Sequence, residues 1–352
     1  MAIQTYSVKN DGEKKLSPNF KVKEFRPKWN GKPDGDIVRI DEELITKLEL
    51  LSGCVNNAPI YISDGYRTEE FDRYLTGGVG QHALGKATDI YVNGGALSYG
   101  ISAEQLCVLA EACGFRGIGT INSKCIHVDV RASDRVVCFR ENGTKKGTET
   151  VITSFFEQAD WLHPVIIPKE KVASIEFVET RESVKTTANK FNDVDYIING
   201  GFFCTYKEPQ FRFTSNGIVR REYKDHMYGM RIVNGNALSY GISTGFDNFL
   251  SGHPILLDNH KFCDYSYAKE IDGWRQRMAI GYKDNGDIVI LAVDKSGLTL
   301  RGLRQVMSYL GCHSAINLDG GGSTSLYSKG KCLNKQTDQR AVNNVIMIRC
   351  KE

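Results

Sequence analysis

Apolar residues recur at helical spacing in three stretches of the first third of the chain, with strand-like segments between them. Leu44, Leu48 and Leu51 share one helical face behind Asp41, whose carboxylate suits an N-cap, so a helix is predicted there. Pro59 to Ser63 predicts a short strand, and Thr68 caps a second helix running through Phe71 and Leu75. The third helix has the fullest signal: Ser102 and Gln105 form a capping box, Leu106, Leu109 and Cys113 lie on one face, and Gly114 supplies the stop. From His127 to Arg131 the chain alternates, which predicts a strand with His127, Asp129 and Arg131 on one face and Val128 and Val130 on the other.

Between Arg140 and Thr150 no apolar residue occurs, the mark of a linker or an exposed hairpin. Beyond it the pattern changes to strands, at Ser174 to Val178, Tyr196 to Ile198, Ala279 to Tyr282, Ile288 to Val293, Ala315 to Leu318 and Val345 to Ile348. One helix interrupts them, capped at Thr299, apolar at Leu300, Leu303, Met307 and Leu310, and stopped at Gly311. With 352 residues the chain exceeds what one core ordinarily holds. The expectation is an α+β protein of two domains: a small mixed domain over 1–138, a linker or connecting hairpin over 139–164, and a larger strand-rich domain over 165–352. A near-repeat, Asn93 to Ser102 against Asn234 to Ser243, crosses the two halves; its flanks differ, so it does not indicate repeat architecture.

Composition narrows the class. Hydrophobic content of 41%, charged content of 25% and 8 prolines exclude extended disorder. No run of about 18 apolar residues is present, so no membrane-spanning helix is expected. The first twenty residues lack the apolar centre of a secretory signal, which predicts synthesis in a cytoplasm and, for an extracellular target, release by other means. Ten cysteines without a CxxC pair, several inside apolar runs, read as buried reduced thiols rather than a disulfide framework. A net charge of +3 is too weak to argue for nucleic acid, yet it tolerates an anionic polymer.

Against that background three residues carry metal-ligand chemistry. His82 and Asp89 stand seven apart around a glycine, and His127 opens the alternating strand. Two imidazoles and one carboxylate suit zinc and leave a tetrahedral ion one open position, as a catalytic site requires. The bland alternative is a loop histidine, a strand-edge aspartate and a buried histidine with a hydrogen-bonded partner.

The surrounding stretches are Ser17-Pro18-Asn19-Phe20 with Glu24-Phe25, Ser63 to Thr68, His82 to Ile90, Gly117-Ile118-Gly119 and His127 to Arg131. Together they resemble the zinc peptidases of the D-Ala-D-Ala carboxypeptidase and L-Ala-D-Glu endopeptidase group, the M15 family. The resemblance implies that His82, Asp89 and His127 bind zinc and that Arg67 stabilises the oxyanion formed as water attacks a peptide carbonyl. Arg67 read without it is a solvent-exposed arginine at a helix start. Several branches of the family place an acid three residues before the last ligand, where this chain has Lys124. Asp129 is the substitute candidate for general base; orienting a ligand or pairing with Arg131 is its other reading.

In the second half, glycines follow strand ends at Asn199-Gly200-Gly201 and at Asp319-Gly320-Gly321-Gly322-Ser323. Consecutive amides in such turns can cradle a phosphate, although an isolated glycine turn is more often structural. Asn199 to Phe203, Ser251 to Pro254, Arg277, Asp319 to Ser323 and Arg340 to Asn344 occur in an order that resembles the phosphodiester glycosidase family. That resemblance implies cleavage of a sugar-1-phosphate bond. Arg277, Arg340 and the amides of Gly200, Gly201, Gly320, Gly321 and Gly322 would hold the phosphodiester, and Asp319 would act at the anomeric carbon. Asn199, Ser323 and Asn344 would hydrogen-bond sugar or phosphate, or else serve as turn and strand caps.

The combined expectation is a zinc-dependent, phage-type hydrolase of the bacterial cell wall, an endolysin acting on peptidoglycan and on a phosphate-linked glycan, released by a holin or carried in a virion. Two rivals stay open: a wall-binding protein that does not cut, and an intracellular glycosidase of a small phosphodiester metabolite.

Overall fold

A computed structural model of the chain describes residues 2–92, 101–133, 136–140, 148–150, 160–205, 208–222 and 228–351. The chain divides into two compact units, 1–158 and 159–352. No helix among the described residues is long and apolar enough to cross a membrane.

The first unit is built on a six-stranded sheet in the order Thr148–Thr150, Val136–Arg140, Gly117–Thr120, Cys125–Asp129, Ala87–Val92, Ile60–Asp64. Helix Ala103–Ala112 packs on Gly117–Thr120 and Cys125–Asp129 and against helix Glu42–Cys54. Because strand side chains alternate, Ile118, Ile126, Val128, Ile90 and Val92 bury one face of the sheet, while Asp89, His127 and Asp129 stand on the other. The predicted caps all form: Asp41 accepts from Glu43, Thr68 from Phe71, and Ser102 with Gln105 makes a complete capping box. Gly77 and Gly114 end their helices at φ of 78° and 84°.

Several strand boundaries shift from expectation, and one shift has a clear cause. The strand predicted over His127 to Arg131 is Cys125–Asp129. It stops there because the Asp129 carboxylate takes the Arg131 backbone N–H at 3.0 Å and withdraws it from any ladder. The apolar-free stretch from Arg140 to Thr150 includes the edge strand Thr148–Thr150, paired antiparallel with Val136–Arg140; residues 141–147 lie outside the described residues.

The second unit stacks three main sheets. A six-stranded sheet, ordered Leu162–Ile167, Ile288–Leu298, Arg275–Tyr282, Ser314–Asn317, Ile255–Asp258, Lys261–Phe262, shares a core with a five-stranded sheet that pairs Val172–Glu179, Asn344–Cys350 and Tyr196–Asn199. Ile198, Met278, Ile280, Ile290, Ile316 and Ile346 are fully enclosed in that core. Helix Leu300–Tyr309, capped by Thr299, packs on the larger sheet. A second five-stranded sheet, ordered Ile218–Arg221, Phe213–Ser215, Phe249–Ser251, Tyr228–Val233, Ala237–Ile242, was not among the predicted strands. It absorbs the second copy of the near-repeat: Asn234 and Gly235 have φ of 51° and 74° and turn strand Tyr228–Val233 into Ala237–Ile242, the backbone that Asn-Gly favours in a hairpin. Residues 93–100 of the first copy lie outside the described residues.

Two candidate active centres

In the first unit, antiparallel pairing sets Asp89 on Ala87–Val92 directly opposite His127 on Cys125–Asp129. His82 reaches them from a glycine-rich loop that Asp72 tethers through the Gly80 N–H. The three ligand-type atoms form a small triangle: His82 Nε2 to His127 Nδ1 is 3.1 Å, His82 Nε2 to Asp89 Oδ1 is 3.2 Å, and His127 Nδ1 to Asp89 Oδ1 is 2.9 Å. All three residues are buried.

The outer ring nitrogens decide what the triangle can hold. His82 Nδ1 lies 2.6 Å from the carbonyl of Gly65, which can only accept, so the proton sits on Nδ1. His127 Nε2 lies 3.1 Å from Asp129 Oδ2, a carboxylate already ion-paired with Arg131, so the proton sits on Nε2. Neutral rings in these tautomers turn two nitrogen lone pairs toward each other and toward a carboxylate. A cation at its centre would satisfy all three atoms. Atoms bound tetrahedrally at zinc distances of 2.0–2.1 Å lie about 3.3 Å apart, close to the spacing found. Without a metal the site draws in a proton instead. Burial opposes the charged form of His127, but hydrogen bonds to Asp129 and Asp89 outweigh it and raise the pKa to about 9. Burial likewise disfavours the Asp89 carboxylate, yet the two histidines hold it below the usual range.

The geometry bears on two expected roles, and for Asp129 it fits the alternative of orienting a ligand and pairing with Arg131. Asp129 is 0% exposed, accepts from the ring nitrogen of His127 turned away from the triangle, and is held by the Arg131 guanidinium at 2.5 Å. It stands behind the ligand as an orienting carboxylate, not on the open side where a general base is needed. Gly117 makes room for it: a Cβ at that position would lie 2.0 Å from Asp129 Oδ2. Arg67 is not a free positive charge. Its guanidinium meets Asp64 at 2.6 Å and both Asp72 and Asp89 at 3.4 Å, so it steadies the second oxygen of Asp89 and neutralises the carboxylates around it. Asp64 and Asp72 escaped sequence reasoning. Asp64 had a signal in its i,i+3 spacing to Arg67, whereas nothing local connects Asp72 to the loop at Gly80. Lys124 is exposed on a turn. Asp129→Asn is expected to weaken zinc binding by about 10–100-fold while leaving the fold intact, as competition with a chromophoric chelator would measure.

In the second unit, most of the predicted residues converge. Asp319 follows strand Ser314–Asn317, and its N–H bonds the carbonyl of Gly200 at 3.1 Å. Asn199 ties the same turn together, donating to the Asp319 carbonyl at 2.7 Å and accepting from Ser325 N–H at 3.0 Å. Arg340 donates to Ser323 Oγ at 2.6 Å and to Asp319 Oδ2 at 3.2 Å, and its guanidinium lies 5.5 Å from the Phe203 ring centre. Burial pushes the Asp319 carboxyl up from its ordinary value, with Ser323 and Arg340 acting in the opposite direction. Gly321 to Ser323 form a single 3-10 turn next to Asp319.

Asn344 has a structural role, accepting from Gly201 N–H at 2.8 Å. A Cβ on Gly200 would lie 1.8 Å from Asn344 Oδ1, so Gly200→Ala should cost the second unit about 3 kcal/mol or more, read as an earlier denaturant transition of that unit alone. The Arg277 guanidinium, expected at the phosphodiester, is turned into the protein. It is 2% exposed, its Nε and Nη2 donate to the carbonyls of Leu298, Ile271 and Gly273, and burial lowers its pKa to about 10. It fastens a neighbouring segment, and Arg340 is the cation beside Asp319. Sequence reasoning also gave no role to the aromatic wall of Phe202, Phe211 and His253, whose ring centres lie 4.7–6.0 Å apart.

These two centres define a chain made of two hydrolase domains. Residues 18–129 match the family model of peptidase M15 and residues 182–349 that of phosphodiester glycosidase, so the N-terminal domain belongs to the first family and the C-terminal domain to the second. The SPbeta prophage-derived uncharacterized protein YomE of Bacillus subtilis (strain 168) is 31% identical over 131 residues, 35% of this chain and 20% of its own length. The chain thus spans about a fifth of that curated relative. Among solved structures, the catalytic domain of zebrafish N-acetylglucosamine-1-phosphodiester alpha-N-acetylglucosaminidase, auto-inhibited by its pro-peptide, is similar at 20% identity and a TM-score of 0.44, covering 53% of this chain and 83% of that one. A hypothetical protein from Synechocystis is similar at 15% identity and a TM-score of 0.47, covering 67% and 68%.

Proposed function

We propose that the chain is a two-headed cell-wall hydrolase: a zinc peptidase cutting peptidoglycan stem peptides, joined to a glycosidase that hydrolyses a sugar-1-phosphodiester in a phosphate-linked wall glycan. The observation that carries the first half is the convergence of His82 Nε2, Asp89 Oδ1 and His127 Nδ1 with both outer ring nitrogens committed elsewhere. Zinc in that triangle would polarise a peptide carbonyl and lower the pKa of water at its open position. Gly65 and Asp129 fix the two rings, and Arg67 holds Asp89. In the second half, Asp319 supplies the carboxylate near the anomeric carbon, with Arg340 and the amides of the glycine turn as donors for the phosphodiester. The prophage origin in one relative's name supports a phage setting, with release by a holin or carriage in the virion.

A second reading has its own support. Lys124 occupies the position where several M15 branches carry an acid, and Asp129 is turned behind His127. A first unit that holds zinc and binds wall without cutting it would show this arrangement. Digestion of purified walls followed by mass spectrometry separates the readings. The wild type should release both stem-peptide fragments and sugar, His82→Ala sugar alone, and Asp319→Ala peptide fragments alone. Bound zinc with sugar but no peptide fragments would favour the binding reading. Sugar released only from a soluble sugar-1-phosphodiester, with walls intact, would point to a metabolite glycosidase.

A further inference from the structure

Two carboxylates flank the glycine turn of the second centre: Asp319 precedes it in the chain, and Asp338 lies across from it. A Cβ on Gly322 would lie 2.9 Å from the Cβ of Asp338 and 3.0 Å from its Oδ2, so the Asp338 side chain rests against the bare backbone of the turn. That close approach requires a glycine at 322.

The segment 335–340 that carries Asp338 is fastened on both sides of it. Lys335 N–H donates to Asp294 Oδ2 at 2.9 Å, Thr337 Oγ1 donates to Gln276 Oε1 at 2.6 Å, and Arg340 reaches Ser323 Oγ at 2.6 Å and Asp319 Oδ2 at 3.2 Å. Gln276 anchors the turn as well, since a Cβ on Gly320 would lie 2.6 Å from its carbonyl oxygen. Asp338 is therefore held in place by its neighbours. Its own carboxylate is exposed and makes no hydrogen bond or ion pair among the described residues, whereas Asp319 is paired with Arg340.

The chemistry leaves a vacancy that such a group fills. Phosphate departs without help from a strong acid, but the sugar must then be captured by water, a weak nucleophile until a base takes its proton. A carboxylate that has bonded to the anomeric carbon cannot also be that base. In a double displacement, water enters from the side the leaving group has vacated, so the base stands beside the donors that held the phosphate. The amides of Gly320 to Gly322 are those donors on the glycosidase reading, and Asp338 lies against Gly322.

We propose that Asp338 is the general base of the second centre, taking the proton of the water that releases the sugar from Asp319. The proposal rests on the glycosidase reading of that centre. In the first step an Asp319 oxygen bonds the anomeric carbon while the bond from that carbon to the phosphate oxygen breaks, its electron pair leaving on the phosphate monoester. In the second, the water oxygen bonds the same carbon, its proton passes to Asp338, and the electron pair of the carbon–Asp319 bond returns to Asp319; Asp338 then yields the proton to solvent. A carboxylate beside the phosphodiester also repels it, so Asp338 speeds turnover without aiding binding. The test uses the full-length protein and the methyl phosphodiester of α-N-acetylglucosamine 1-phosphate. Asp338→Asn should lower kcat about a hundredfold or more, with KM unchanged or lower. In Asp338→Ala, azide attacks without losing a proton, so it should restore turnover and give a glycosyl azide with the configuration of the substrate. Both variants should keep the denaturant transition of the wild type, because Asp338 bonds no described residue. A kcat in Asp338→Asn within about threefold of the wild type, or a loss in Asp338→Ala that azide does not restore, would overturn the base and leave the glycosidase reading intact. A wild type that releases no sugar from this diester or from purified walls would overturn that reading, and the base with it.

Discussion

His82→Ala will purify as a folded protein without stoichiometric zinc and will release no stem-peptide fragments, while its glycosidase rate stays at the wild-type level. Removing one of three ligands leaves an imidazole and a carboxylate, too few to hold the ion, and the remaining His127 and Asp89 settle as a hydrogen-bonded pair at 2.9 Å. The fold should survive because His82 sits on a loop that Asp72 still anchors at Gly80. Zinc would compete with protons for His127, whose pKa is raised to about 9 by its hydrogen bonds to Asp129 and Asp89. Zinc affinity of the wild type should therefore fall steadily as the pH is lowered from 9, as dialysis at graded pH followed by metal analysis would show.

Asp319→Asn is the counterpart in the second unit. The substitution keeps the shape of the side chain and its contact with Arg340 but removes the charge that would meet a developing oxocarbenium ion. Sugar release should drop on the order of a thousandfold, with peptide release untouched. On the proposed reading the working form in the wild type is the carboxylate, and burial raises its pKa. Activity should thus disappear as the pH falls through a limb above the ordinary aspartate value of about 4. Arg340→Gln removes a positive neighbour and should move that limb to still higher pH. A limb that stays in place in Arg340→Gln would remove Asp319 from the role of titrating group.

The sequence was most legible where causes are local. Helix caps at Asp41, Thr68, Ser102 and Thr299 each depend on a side chain and an amide two or three residues away, and each forms as the pattern predicts. The sheet edged by Ile218–Arg221 and Ala237–Ile242 was illegible because several of its strands span only three or four residues and their register comes from distant partners, such as Phe213 with Leu250. The convergence of His82, Asp89 and His127 was readable because these residues sit in motifs of fixed spacing. Orientation was not. Strand parity placed Asp129 on the same face as His127 without telling which ring nitrogen it would meet. Residue type gave Arg277 a charge suited to phosphate, but the carbonyls of Leu298, Ile271 and Gly273, which only the folded chain gathers around it, decide where that guanidinium points. The three carboxylates around Arg67 are likewise a product of folding, since Asp89 arrives from another strand.

Zinc-edge X-ray absorption on the purified, zinc-loaded chain tests the central claim most directly, because it reads the atoms bound to the ion. The account predicts one zinc per chain with only nitrogen and oxygen neighbours at about 2.0–2.1 Å, two of them with imidazole scattering, and loss of that spectrum in His82→Ala. Sulfur neighbours at about 2.3 Å from any of the ten cysteines, or no stoichiometric zinc in the wild type, would contradict it.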